Sequence, residues 1–157
     1  MTYTGVEVKG CKTAMTRDKR RFKRISVELP VTVYFFDNKG KTRLGDAITG
    51  RINNFSPVGA ALTVASILLE GKHIFYTCQD NPGIMLELVF ALDEKEGKII
   101  NVPAAPVWFD RDLDSDKKQF VIGLEFLLPP KSKEIKSLCC EACQDETLLI
   151  SLWKKLF

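Results

Sequence analysis

Apolar and polar residues alternate along the first strongly patterned stretch of the chain, from Ile25 to Phe35. Successive side chains of a strand point to opposite faces, so this period of two predicts a strand with one buried face. Pro30 lacks the amide hydrogen that a sheet ladder needs, and we expect the strand to begin at a sheet edge or to bulge there. The turn sequence Asp37–Gly40 then predicts a return strand over Leu44–Ile52.

Four further apolar runs have strand-like lengths and are separated by segments rich in turn residues. These runs are residues 60–64, 84–91, 99–107 and 120–126. Six short strands predict a mainly β fold, a six-stranded antiparallel barrel or a sandwich. Ser66–Lys72 is predicted as a short helical crossover. After Pro130, apolar residues recur at helical spacing, which predicts one or two amphipathic helices packed on the barrel.

Length and composition indicate one compact domain. A chain of 157 residues buries roughly 68–70% of its unfolded surface, which is enough for an independent core. No apolar run approaches the ~18 residues of a membrane span, and the amino terminus lacks a signal-peptide pattern. Five cysteines, an odd number, are typical of reduced thiols. We therefore expect a cytoplasmic protein.

Positive charge is concentrated at the amino terminus. Residues 1–24 carry eight basic and two acidic side chains, a net charge of +6, whereas the remaining residues carry a net charge of −3. Such a segment has too little apolar surface to order itself, so we expect a flexible basic arm. The charge indicates an anionic partner, which includes a nucleotide, a nucleic acid or a lipid head group; a merely solvated terminus is the alternative.

Two short motifs combine residues suited to binding a nucleotide. Arg20 and Arg24 stand four apart, which places both on one face of a strand or helical turn. Arginine carries a planar, permanently charged fork that pairs with phosphate or with the acceptor edge of guanine. Asn54, Ser56 and Gly59 supply a short amide, a hydroxyl and a position where backbone can come close.

These motifs resemble RxxxR and (D/N)xSxxG, the two signatures of PilZ domains, which are bacterial receptor modules for cyclic dimeric GMP (c-di-GMP). Ile122–Phe126 also resembles the strand that closes the family's barrel. The resemblance implies a PilZ-like barrel over residues 19–128, flanked by the flexible arm over 1–18 and the helical extension over 129–157 that charge and apolar spacing predict. It implies c-di-GMP contacts by Arg20, Arg21, Arg24, Asn54, Ser56 and Gly59, with Lys19 as a possible addition.

Asn54 occupies a position where the family more often has aspartate. A carboxylate accepts from both N1–H and N2–H of guanine, whereas an amide offers one acceptor oxygen. We therefore expect this residue to affect affinity rather than the mode of binding. The sequence from Ser56 to Gly59 also fits a plain type I turn, which requires no ligand.

The remaining chemistry does not indicate an enzyme. His73 is the sole histidine, and no catalytic motif or cofactor fingerprint is present. Cys139, Cys140 and Cys143 have a spacing that could bind a metal, but packed core cysteines are the simpler interpretation. Trp108 is predicted at the barrel rim, as a packing residue rather than one that stacks on a ligand.

The leading hypothesis is a c-di-GMP receptor that signals to an unidentified protein partner through ordering of its arm. Three alternatives stay open: a PilZ-like interaction module without ligand, a single-stranded nucleic-acid binder and a metal-dependent regulator.

Overall fold

A computed structural model describes residues 24–93, 97–112 and 118–142. In chain order the elements are β1 (Ile25–Asp37), β2 (Thr42–Ser56), β3 (Gly59–Val64), β4 (Leu68–Leu69), β5 (Lys72–His73), α1 (Ile74–Asp80), β6 (Ile84–Asp93), β7 (Lys98–Asp112), β8 (Gln119–Phe126) and α2 (Lys133–Ala142). Six strands form a closed antiparallel barrel in the order β1-β2-β3-β8-β7-β6. The predicted fold class is confirmed.

The core lies inside this ring of strands. Val31, Val33 and Phe35 of β1 are buried, as the period of two requires. Across the barrel the rings of Phe55 and Phe126 pack with their centroids 5.6 Å apart. The α2 helix packs on β1 and β7 and adds Ile135, Leu138 and Cys139 to the core.

Pro30 lies in the part of β1 that is open on one side, as the sequence predicts for a proline in a strand. The first half of β1 pairs with β2 alone, and pairing with β6 begins at Thr32. The missing amide hydrogen therefore interrupts no ladder on the β6 side. This stagger lets the proline stand inside a long strand.

The predicted helical crossover over Ser66–Lys72 is wrong. These residues form the small β4–β5 hairpin, whose turn has φ +56° at Glu70 and φ +73° at Gly71. Such backbone angles cannot continue a right-handed helix. The helix comes later, as α1, and the Nδ1 atom of His73 accepts the first amide hydrogens, from Phe75 at 3.2 Å and Tyr76 at 3.3 Å.

The carboxyl-terminal helical prediction is tested in part. The α2 helix ends the described residues at Ala142. The predicted helical positions after that residue lie outside the described part. Within the described residues, neither helix has the length and apolar character needed to cross a bilayer.

Candidate functional site

The β1–β2 register brings the two motifs together at one end of the barrel. Ser26 pairs with Asn54 and Ile25 with Phe55, so Arg24 lies directly before β1 beside the end of β2. Arg24 is half-buried. Lys19, Arg20 and Arg21 lie outside the described residues. Of the sequence-predicted residues, the structure thus brings Arg24 close to the segment 54–59.

A β-bulge in β2 directs Asn54 outward. The pairing of β2 with β3 shifts register between Ile52 and Asn54, so Asn53 is the extra residue. Ile52 and Phe55 are fully buried in the core, whereas Asn54 pairs with the exposed Ser26. Position 54 is therefore on the outer surface of the barrel, although β2 is paired on both sides.

The side-chain oxygen of Asn54 has no hydrogen-bond donor. It is the only buried side-chain polar atom without a partner within the described part of the chain. The neighbouring amide differs, because Oδ1 of Asn53 accepts the hydroxyl of Thr63. A buried acceptor without a donor costs about 1–3 kcal/mol. Within the described residues this acceptor is therefore left unsatisfied, and a donor that reached it would remove that cost.

Ser56 has its hydroxyl engaged within the chain. The side chain is 2% exposed, donates to the carbonyl of Gly59 at 3.4 Å and accepts from the amide of Val58 at 3.3 Å. Pro57 and Val58 form the two-residue loop between β2 and β3, and neither has a positive φ. This geometry fits the type I turn that the sequence predicts. Ser56 shapes the loop that follows Asn54.

Gly59 lets two strands approach closely. A Cβ atom at this position would lie 2.2 Å from the carbonyl oxygen of Leu124 in β8. Any larger residue must displace the β8 backbone. The glycine of the second motif thus has a packing role in the described structure, and this role is sufficient to require glycine.

A row of paired residues crosses the outer surface from Asn54 to Trp108. Asn54 pairs with Ala61, Ala61 with Gly123, and Gly123 with Trp108. A Cβ on Gly123 would lie 2.1 Å from Nε1 of Trp108, so the indole ring lies over this glycine. We call these four residues the Asn54–Trp108 row. It spans three strand spacings, about 14 Å, over a floor of small residues.

Sequence reasoning missed the position of Trp108. The side chain is 41% exposed and lies on the outer surface, in the same row as the unpaired oxygen of Asn54. A second bulge, between Pro106 and Trp108, determines where this side chain points. The alternation of the sequence alone does not reveal such a bulge. Trp108 pairs with Gly123, whose missing side chain leaves space for the indole ring.

The cysteines differ strongly in exposure. Burial raises the pKa of the Cys78 thiol to about 12, which keeps it protonated and unreactive near neutral pH. Cys139 is buried and Cys140 is exposed, while Cys143 lies outside the described residues. Among the residues with described positions, no cluster of three His, Cys, Asp or Glu side chains could hold a metal.

An open cavity lies elsewhere on the surface. It has a volume of about 420 Å³ and is lined in part by Phe36, Met85 and Leu127. At its margin Glu87 pairs with Arg43 at 2.5 Å. None of the motif residues that the structure describes lines this cavity.

Several solved structures are similar to this chain. The PilZ domain of YcgR from Escherichia coli, solved with c-di-GMP, shares 10% identity at a TM-score of 0.49, covering 88% of this chain and 94% of that one. The Bacillus subtilis inhibitor of motility MotI/DgrA shares 17% identity at a TM-score of 0.48, covering 89% and 50%. The PlzA protein of Borreliella burgdorferi, solved in complex with c-di-GMP, shares 15% identity at a TM-score of 0.48, covering 84% and 52%.

Comparison with curated proteins finds no match to this chain. The family model of the PilZ domain, in contrast, matches residues 18–140. This match contains both motifs, all six barrel strands and most of α2. By this match over most of its length, the chain belongs to the PilZ domain family.

Proposed function

We propose that this PilZ domain is a receptor for c-di-GMP and that the ligand binds over the Asn54–Trp108 row. The unpaired, buried Oδ1 of Asn54 carries this proposal. Guanine presents N1–H and N2–H as donors on one edge, and either one supplies the missing hydrogen bond. Binding then removes the cost of the unsatisfied acceptor, which makes this oxygen a favourable contact for guanine.

Arg24 supplies the charge that the phosphates require. Its backbone directly precedes β1, at the same end of the barrel as Asn54 by the β1–β2 register. Lys19, Arg20 and Arg21 precede it in sequence, and by resemblance to the family the arginines grip the ligand. An arginine fork pairs with phosphate oxygens or with guanine O6 and N7. The basic arm and the outer surface together form the proposed site.

Trp108 contributes an aromatic surface for a base. The exposed indole lies over Gly123, so its outer face is directed away from the barrel. Stacking of a base on an aromatic side chain contributes about 1–3 kcal/mol. We propose that one guanine lies against this ring. Ser56 and Gly59 act indirectly, through the loop and strand packing that position Asn54.

In this proposal, the signal is the ordering of the basic arm when the ligand binds. The ligand neutralises part of the charge of residues 1–24 and gives its arginines common anchors. The arm then becomes ordered over the barrel, and a protein partner binds one state of the arm in preference to the other. The barrel itself stays unchanged.

Calorimetric titration with c-di-GMP tests the proposed function. We expect saturable binding of c-di-GMP and much weaker binding of linear GMP dinucleotide and of GTP. Arg24→Ala should lose about 1–3 kcal/mol of binding free energy, the contribution of a bidentate arginine contact. Arg111→Ala is the control, because this exposed arginine lies on β7 outside the row.

An absence of binding by the parent protein would contradict the proposal and favour a PilZ-like interaction module without ligand. Tight binding of single-stranded nucleic acid with a steep salt dependence would indicate the nucleic-acid alternative, because many phosphate contacts give a steep slope.

A further inference from the structure

Arg51 is a second arginine on the outer surface beside Asn54. It pairs with Pro30 of β1 and Thr63 of β3, and the next residue, Ile52, is fully buried. Side chains alternate along a strand, so Arg51 points outward. Arg51 pairs with Thr63 of β3, and Asn54 pairs with Ala61, two residues away. Arg51 and Asn54 therefore lie about 7 Å apart on the outer surface of the barrel.

Among the described residues, the guanidinium of Arg51 has no acceptor. It is half-buried and makes no hydrogen bond, ion pair or ring contact with any described residue. The side chains of its neighbours explain this. The Pro30 side chain has no acceptor, and the Thr63 hydroxyl, which donates to Oδ1 of Asn53, accepts no bond from Arg51. Asp110, on the same row of the wall, is three strand spacings away, about 14 Å.

An acceptor and a donor group that both lack hydrogen-bond partners among the described residues therefore lie close together on β2. Asn54 lacks a donor, and Arg51 lacks an acceptor. A single ligand that carries donors on one part and acceptors on another satisfies both. Guanine nucleotides have this combination, with N1–H and N2–H as donors and with O6, N7 and phosphate oxygens as acceptors.

The proposed ligand, c-di-GMP, has more hydrogen-bonding groups than Asn54 alone can contact. It has two guanines and two phosphates, whereas one amide oxygen serves one guanine edge. By the β1–β2 register, Arg24 and Arg51 lie on opposite sides of Asn54 along the strands. The two arginines thus flank the position of the first guanine.

We infer that Arg51 is a specificity-determining anchor, which donates to a phosphate or to the O6/N7 edge in the second half of the dinucleotide. This inference rests on the proposed function. It goes beyond the two sequence motifs, because neither motif includes position 51.

The test compares Arg51→Ala, Arg51→Lys and Arg111→Ala in calorimetric titrations with c-di-GMP. Arg111→Ala removes the same charge from an exposed site on β7. We expect Arg51→Ala to weaken binding roughly tenfold or more, which is the effect of a lost bidentate contact. Arg111→Ala should stay within about twofold of the parent. Thermal unfolding of each variant checks that the fold is retained.

Arg51→Lys identifies the acceptor. Lysine binds phosphate as a point charge but does not reproduce the fork that reads O6 and N7. Recovery of most of the affinity assigns Arg51 to phosphate, and failure to recover assigns it to the guanine edge.

If Arg51→Ala binds as well as Arg111→Ala while Arg24→Ala is still impaired, the role of Arg51 is overturned and the proposed function stands. If the parent does not bind c-di-GMP, both are overturned.

Discussion

A buried amide oxygen without a donor, such as Oδ1 of Asn54, destabilises a folded protein by about 1–3 kcal/mol. Its neighbour Asn53 has the same side chain, but its oxygen is bonded to Thr63. The two residues therefore form a matched pair, one available to a ligand and one used by the fold. Sequence reasoning finds the asparagine of the motif, but it cannot separate these roles, because the bulge at Asn53 depends on pairing with a distant strand.

Asn54→Ala and Asn53→Ala should have opposite effects. Alanine at position 54 removes the unsatisfied acceptor, so we expect an unfolding free energy equal to or above that of the parent and a loss of c-di-GMP affinity of about tenfold or more. Alanine at position 53 breaks a hydrogen bond and should lower stability by about 1 kcal/mol while binding is retained. Urea unfolding and calorimetry measure the two quantities.

Asn54→Asp provides a further comparison. A carboxylate is costlier to bury than an amide, so stability without ligand should fall, while two acceptor oxygens should maintain or tighten binding. A loss of more than about tenfold in affinity would place Asn54 beside a phosphate and contradict its assignment to guanine.

Gly59→Ala should act on folding. The added methyl group would lie 2.2 Å from the carbonyl oxygen of Leu124, so the strands must separate, at a cost of about 1–3 kcal/mol. Gly83→Ala is the control, since its nearest neighbour would be 3.9 Å away. We expect a lower urea midpoint for the first variant and a change within about 0.5 kcal/mol for the second. Equal midpoints would contradict the packing role.

The six barrel strands could be predicted from alternation and from apolar runs, whereas the β4–β5 hairpin and α1 could not. Long amphipathic strands such as β1 repeat the pattern over many residues, whereas α1 has only seven and follows a hairpin with left-handed backbone. Its cap is also a histidine, which is not among the usual N-cap residues.

His73 should stabilise α1 through both its cap and its ring. The ring packs 4.8 Å from that of Phe109, measured between centroids. His73→Ala loses the cap and the ring, whereas His73→Asn loses the ring alone, because asparagine is a good N-cap. We therefore expect His73→Ala to be less stable than His73→Asn by about 0.5–2 kcal/mol in urea unfolding. Equal stability of the two variants would show that the cap contributes nothing.

At the scale of the molecule, the barrel and the arm are expected to respond differently to ligand. The barrel is closed, with a continuous core that α2 completes. The charge of residues 1–24 opposes compaction of the arm without an anion. Composition predicts this contrast, but the sequence cannot show which barrel surface adjoins the start of β1, because that depends on the β1–β2 register.

Hydrogen exchange should reveal the switch. With c-di-GMP we expect increased protection in residues 15–25 and around 54–59, because the ligand links the arm to the Asn54–Trp108 row. The remaining strands should exchange as before, which serves as the internal control. An arm that is protected equally without ligand would contradict ordering as the signal.

An NMR titration of side-chain N–H signals tests whether c-di-GMP binds over the Asn54–Trp108 row. We predict saturable shifts of the Asn54 amide and the Trp108 indole, with no shift of Asn101, an exposed amide in the half of β7 that pairs with β6. Unchanged Asn54 and Trp108 signals at saturation, with a shift instead of the side-chain amide of Asn38, which lines the cavity with Phe36 and Met85, would contradict binding over this row.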